Sequence, residues 1–282
     1  MYKEKTKKQL ASYKVKQLGV LKDGIWKTNK KPYPHILPTE QKELNLLEPY
    51  RADLLSYIAQ QKIQLHRDFH HLNSSQAVCL NFFYPLLKEN LLPLLLNILK
   101  NKEETVEICE FEKVISRSEG TNFDFYIRLK SGKQIFFEIK YTESGFKKEQ
   151  PSEAYQAKHE VVYKERLVGK LRPGINEYET LMKNYQLLRN ISYVDASDQN
   201  LLVIICPEGN IKLRQEYETL VDNLIAPALH KNIRFLTWET IWTELMDLLL
   251  ASPAVPERLR NQYKLFGEKY LADEKNDLYE KK

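Results

Sequence analysis

The chain is 282 residues long, enough for a sizeable core in one large domain or in one domain with an appendage. A 43% hydrophobic and 29% charged composition is that of a soluble globular protein, and no apolar run is long enough to span a bilayer. The formal net charge is +5, yet residues 1–31 alone carry ten lysines against Glu4 and Asp23, so the rest of the chain is mildly acidic.

A basic arm on a mildly acidic body suits a polyanionic partner such as nucleic acid; lysine-rich ends also serve as solubilising tails. The N-terminus lacks the apolar core of a signal peptide. Cys79, Cys109 and Cys206 lie in apolar runs with no metal-like spacing. Both features point to a reducing, cytoplasmic setting.

Beyond the arm, Pro32, Pro34 and Pro38 in "KKPYPHILP" mark an extended connector without regular structure. Residues 39–67 space their leucines at helical intervals. In "HLNSSQAV", Asn73 is placed to cap a helix whose third residue is Gln76, a capping-box arrangement, and that helix continues through "AVCLNFFYPLLKEN". Strands are expected over 105–115, 123–129 and 133–142. Helices follow over 152–168 and 176–190, then a wholly apolar strand at 201–206, a helix near 212–229, a strand at 233–238 and a helix at 239–250. This order is α/β, with a mixed central sheet covered on both faces: a three-layer α/β/α sandwich. Residues 1–72 read as basic arm and helical extension, 73–250 as the core, and 251–282 as a charged tail, helical or frayed from Pro253 onward.

The stretch "GTNFDFYIRLKSGKQIFFEIKYTES" raises a question of its own, because it embeds Asp124, Glu138 and Lys140 in an apolar hairpin, where unpaired charge is expensive. A three-residue loop, Lys130-Ser131-Gly132, pairs Phe125 with Phe137 and Ile127 with Ile135, and puts Phe123 and Ile139 on that same face. A two-residue turn would throw the apolar residues of the two strands onto opposite faces. The selected register brings Asp124 opposite Glu138, with Lys140 two residues on. Facing carboxylates repel, costing about 1 kcal/mol even when solvated, so such an arrangement favours a cation. Magnesium fits, because it takes hard oxygen ligands and keeps water and phosphate in its shell. Lys140 would hold or activate the attacking water and offset charge on the phosphate.

Asp124, a thirteen-residue spacer, and Glu138-Ile139-Lys140 together resemble the signature of the PD-(D/E)XK nuclease superfamily, with its restriction-endonuclease-like fold. The wording "TNFDFYIRL…IFFEIKYTE" with "NYQLLRN" downstream is similar to an uncharacterised bacterial branch of it. The resemblance covers roughly residues 73–206. It implies that Asp124, Glu138 and the Ile139 carbonyl ligate Mg2+ (or Mn2+ in its place) and that Lys140 serves the nucleophilic water. Phe123 stands where the motif's proline would be, and the glutamate usual on the first core helix has no obvious counterpart. Glu112, with Glu110 sharing its alternation, and Gln76 are candidates for an additional active-site acid or polar group.

The expected function is a magnesium-dependent endonuclease acting on DNA, of the restriction or defence kind, compatible with a homodimer. A non-catalytic DNA-binding, structural or protein-binding protein on the same fold stays open, as does a junction-resolving or exonucleolytic nuclease. Tyr141, Gln186 and Arg189 are candidate nucleic-acid contacts, and Lys147, Lys148 and Lys158 candidate backbone contacts. In "HRDFHH", His66 and His70 would share a helix face but lack a third metal ligand. Alanine at Asp124, Glu138 or Lys140 is expected to abolish cleavage with the fold intact.

Overall fold

An apolar strand without alternation needs cover on both faces. The run from Asn200 to Cys206 has it: Leu201, Val203 and Ile205 enter one hydrophobic core, while Leu202, Ile204 and Cys206 enter a second. The computed structural model describes residues 2–116 and 119–271. A short hairpin of β1 (Gly24–Trp26) and β2 (Lys31–Tyr33) precedes the main sheet. That sheet contains β3 (Val106–Val114), β4 (Asn122–Leu129), β5 (Gln134–Ile139), β6 (Asn200–Cys206) and β7 (Ile233–Thr237), side by side in that order. The first three are antiparallel; the β5–β6 and β6–β7 pairs are parallel.

Helices cover both faces. On one side lie α1 (Tyr2–Lys16), α2 (Arg51–Gln60), α3 (Ser75–Lys88), α4 (Leu92–Ile98), α10 (Trp238–Ala251) and α11 (Glu257–Tyr270). On the other lie α5 (Glu153–Lys158), α6 (Lys164–Leu167), α7 (Glu177–Lys183), α8 (Tyr185–Ile191) and α9 (Ile211–Leu224). This is the three-layer α/β/α architecture that the order of elements implies. Among the described residues no helix is long and apolar enough to cross a membrane. Helix α3 is buried almost all round and seats Phe83 on Phe125, ring centroids 4.5 Å apart.

Several local expectations are corrected. The proline-rich connector is not free of regular structure: Pro32 sits in β2 opposite Ile25, a position that a two-stranded edge tolerates. Residues 39–67 break into two 3-10 turns and α2, because Pro49 lacks the N–H a continuous helix would need. The α3 cap is Ser74, whose hydroxyl accepts from the Ala77 N–H, rather than Asn73. The expected helix over 176–190 is two helices, broken at Asn184. Its backbone leaves the helical region, and its side chain donates to the Thr180 carbonyl. Helix α4 was not expected; the charged tail, expected to be helical or frayed, is helical over α11, and its residues 272–282 lie outside the described residues.

The hairpin takes the expected register, Phe125 opposite Phe137 and Ile127 opposite Ile135, with Gly132 in the left-handed region at φ +90°. The ladder stops short of the expected Asp124–Glu138 and Phe123–Ile139 pairs. Phe123 lies on the opposite face from Phe125, packed on Phe136 at 4.7 Å and on Tyr193 at 5.3 Å. The break in alternation coincides with Glu112 on the neighbouring strand, a non-glycine residue at φ +53°.

Helix α11 closes the first core: Gln262 donates to the Asn81 carbonyl at 2.8 Å and the Tyr263 hydroxyl to the Phe82 carbonyl at 2.6 Å. It also buries Lys269 completely, its Nζ donating to the carbonyl and side-chain oxygens of Asn45 at 2.6 and 2.9 Å. No carboxylate pairs with it among the described residues, and burial pushes its pKa well below the usual lysine value. The folded protein therefore holds fewer protons here than the unfolded chain, and stability rises with pH up to the ordinary lysine pKa of about 10.4. The stability of Lys269→Met relative to the wild type is thus expected to fall as pH rises toward about 10, read from paired thermal melts. A difference that stays flat over that rise would mean that Lys269 titrates as an ordinary lysine.

Candidate active site

The site lies where β4 and β5 part company. Their ladder ends at the Phe125–Phe137 pair, and beyond it the Asp124 side chain takes over the work of the backbone: Oδ2 accepts from the Ile139 N–H at 2.6 Å. A carboxylate is thereby fixed against the last turn of β5, beside Glu138 and Lys140.

Glu138 is buried, 4% exposed, and faces α8. Its Oε1 accepts from Lys140 Nζ and from Gln186 Nε2, both at 2.8 Å, and its Oε2 accepts from Asn190 Nδ2 at 2.7 Å. Gln186 closes the ring, its Oε1 accepting from Lys140 Nζ at 2.9 Å and from the Lys147 N–H at 3.0 Å. The break at Asn184 makes this possible, since it re-aims α8 so that Gln186 and Asn190, four residues apart, address the same carboxylate. Trp238 fixes the backbone, donating from Nε1 to the Lys140 carbonyl at 3.0 Å.

The electrostatics follow from that crowding. Burial pushes the Asp124 carboxyl well above the usual carboxylate range, and the Glu138 and Glu112 carboxylates push it further; the Ile139 N–H and Lys140 oppose them. Burial alone would lower Lys140, but Glu138, Glu143 and Asp124 outweigh it and hold its pKa above the ordinary lysine value. Lys140 is therefore an ammonium at neutral pH. In that form its chemistry is that of a positive charge and a hydrogen-bond donor, not of a base.

Glu112 enters from the other side. Its Oε1 accepts from Gln76 Nε2 at 2.7 Å, Asn122 donates to its Oε2, and His66 Nε2 stands 3.6 Å from Oε1. The nearby Glu112 carboxylate raises the His66 pKa above its usual value against the effect of burial. Gln76 is not a capping-box residue. It is 1% exposed and ties Glu112 to the 64–66 segment, donating to the Gln64 carbonyl and accepting from the His66 N–H. Glu110 is tied up elsewhere, paired with Lys113.

The other expected residues separate. Tyr141 is fully buried with its hydroxyl donating to the Tyr270 carbonyl at 3.0 Å, so it presents nothing to a nucleic acid. Arg189 is half-buried over the Tyr185 ring and does not reach the Glu138 network. Lys147 and Lys148 pair with Glu149 and Glu216, and Lys158 donates to the Glu119 carbonyl. His66 and His70 do not converge, because His70 is turned to the Ile25 carbonyl.

Two residues escape a reading of the sequence. Asn190 is an uncharged side chain in a leucine-rich helix, and only its i, i+4 relation to Gln186 marks it. Glu119 is 2% exposed and accepts from the Thr121 N–H at 2.7 Å and from the hydroxyls of Tyr193 and Tyr163. Those donors outweigh burial and lower its pKa, and they anchor the approach to β4 that carries Asp124.

Among the described residues no group of three or more His, Cys, Asp or Glu side chains is placed to hold a metal ion, so a zinc-type set is not on offer. The donors suit magnesium better, which needs only one or two carboxylates and completes its shell with water and phosphate oxygens. Asp124 is the observation that fits: a buried acid pushed upward by two neighbouring carboxylates is the environment a bound cation relieves.

A family model described as "restriction endonuclease associating with ARP" matches residues 7–271, nearly the whole chain. No curated protein and no solved structure matches it.

Proposed function

The chain belongs to the family of restriction endonucleases associating with ARP, and on that premise we propose that it is a magnesium-dependent deoxyribonuclease of the PD-(D/E)XK type. Asp124, on one strand, and Glu138 and Lys140, on the next, are the reacting groups. The observation that carries this reading is the Asp124 carboxylate locked onto the Ile139 N–H, which fixes one acid against the strand end that bears the other acid and the lysine.

Asp124 and Glu138, with the Ile139 carbonyl, would hold the ion, whose chemistry is to polarise the phosphate and lower the pKa of a bound water. The protein's own residues supply the rest. Lys140 offsets the charge that grows on the phosphate, and Gln186 keeps its ammonium aimed by accepting from it. Glu112 adds negative charge behind Asp124, with Gln76 holding it in place. The substrate is DNA, and the acting form compatible with this fold includes a homodimer.

Incubation with supercoiled plasmid tests the proposal. Nicking or linearisation should require Mg2+ or Mn2+ and stop in EDTA, and Lys140→Met should lower the rate by at least about 10²-fold. Cutting that persists in EDTA, or at an unchanged rate in Lys140→Met, would refute the assignment.

A further inference from the structure

Helix α1 has one face that packs and one that does not. Thr6, Leu10 and Lys14, four residues apart, are buried; Lys14 is neutralised by Asp23 at 2.7 Å. Outward point Lys5, Lys8 and Lys16, on one helical stripe with Ser12, and Lys3 in the first turn. None of these four outward lysines forms an ion pair among the described residues, and the one acid of the helix, Glu4, is taken by Lys7 at 3.2 Å. Among exposed lysines of the body, Lys164, Lys183 and Lys231 each have a carboxylate partner within 3.6 Å, while Lys62, Lys130 and Lys264 stand singly in separate segments.

The helix is also held in place rather than trailing as a tail. Gln9 donates to the Leu271 carbonyl at 3.3 Å. At the other end, the Tyr2 ring lies so close to Gly209 that a Cβ there would meet it at 2.8 Å. Tyr2 and Lys3 line a cleft of about 270 Å³ with Thr142, Glu143 and Lys212. Thr142 and Glu143 lie two and three residues after Lys140, so the first turn of α1 abuts the exit of β5 that carries the site. Lys212 stands in the first turn of α9, which contains no acid.

We propose that the unpaired lysine face of α1 is a docking surface for the phosphodiester backbone of a DNA duplex, continuing outward from the site at the end of β5. This rests on the nuclease reading and names where its substrate is gripped. Lys5 and Lys16 are eleven residues apart, about 16 Å along the helix, against a phosphate every ~3.4 Å on each DNA strand. The face therefore spans several phosphates and carries no means of reading sequence, and it contributes affinity and salt dependence only.

The test measures binding of a fluorescent duplex by the full-length Asp124→Asn protein, without divalent metal, over a series of salt concentrations. Replacing Lys5, Lys8 and Lys16 together with glutamine should flatten the slope of log affinity against log salt by about 2–3 and weaken binding at least about tenfold near 0.1 M salt. Replacing the paired Lys164, Lys183 and Lys231 with glutamine, an equal change in net charge, should leave the slope nearly unchanged. Thermal melts should be alike, since none of these side chains is packed. If the parent binds and the α1 variant binds with the same slope, this surface is refuted while the nuclease reading stands. If both triple variants lose slope equally, the effect is net charge and the surface is likewise refuted. If the parent binds no duplex at all, both fall.

Discussion

Replacing Asp124 with asparagine should abolish cleavage and at the same time raise the melting temperature of the metal-free protein. The first effect is the loss of an acid from the reacting cluster, at least about 10²-fold in rate. The second follows from the sign of the pKa shift. Burial, Glu138 and Glu112 hold the Asp124 carboxyl well above its unfolded value, so the folded state binds the proton more tightly than the unfolded chain does. Stability is then greatest below the unfolded pKa, about 3.9, and declines as pH rises from there through the folded pKa. At neutral pH, above the unfolded pKa, the buried group therefore opposes folding. An asparagine oxygen still accepts from the Ile139 N–H but carries no charge, so that opposition disappears. Each kcal/mol recovered corresponds to about 2–4 °C in a chain of this size.

Magnesium separates the two proteins further. A cation that binds only the folded state raises the melting point in proportion to the logarithm of its concentration. The wild type should show that rise and Asp124→Asn should not. A variant that melts below the wild type in EDTA would show that the carboxylate is not strained, and a variant that still cuts would remove Asp124 from the site.

How much of this the sequence discloses depends on the kind of interaction. The β4–β5 register was legible because only one loop length puts Phe125, Ile127, Ile135 and Phe137 on a common face, and that register also brought the acids to neighbouring strands. The two-sided burial of β6 was legible from its unbroken apolar run. Phe123 was not, because its change of face coincides with the irregular backbone of Glu112 on another strand, and no pattern within β4 records that. Gln76 looked like a cap because capping is local, whereas its actual partner is thirty-six residues away in β3. Asn190 and Glu119 were hidden for the same reason: a buried polar group is defined by donors and acceptors from distant elements, which only the tertiary fold assembles. Helix α1 shows the reverse case. Its lysines were plain in the sequence, but which of them are paired and which stand open became visible only once Asp23 and Glu4 had positions.

Glu138 is where the geometry changes what a mutation can be asked to show. Judged from the motif alone, Glu138→Ala should silence the enzyme and spare the fold. Its carboxylate, however, is the shared partner of Lys140, Gln186 and Asn190 in a buried pocket. Removing it leaves an ammonium that is 5% exposed without its counter-charge, together with two amides short of an acceptor. Breaking one side of such a pair is expected to cost about 3–5 kcal/mol. Glu138→Gln keeps the volume and one acceptor oxygen, and should cost about 1–3 kcal/mol because its amide now faces another donor. Adding Lys140→Met to Glu138→Ala removes the stranded charge, so the double variant should be more stable than Glu138→Ala alone, a non-additivity that denaturant melts resolve directly. If Glu138→Ala unfolds at the same denaturant concentration as the wild type, the buried network is not formed in solution and the α8 side of the site must be redrawn. If it is destabilised as expected, lost cleavage in that variant reports a damaged strand end as much as a missing metal ligand. The chemical role of the site is then better judged on Asp124→Asn and Lys140→Met.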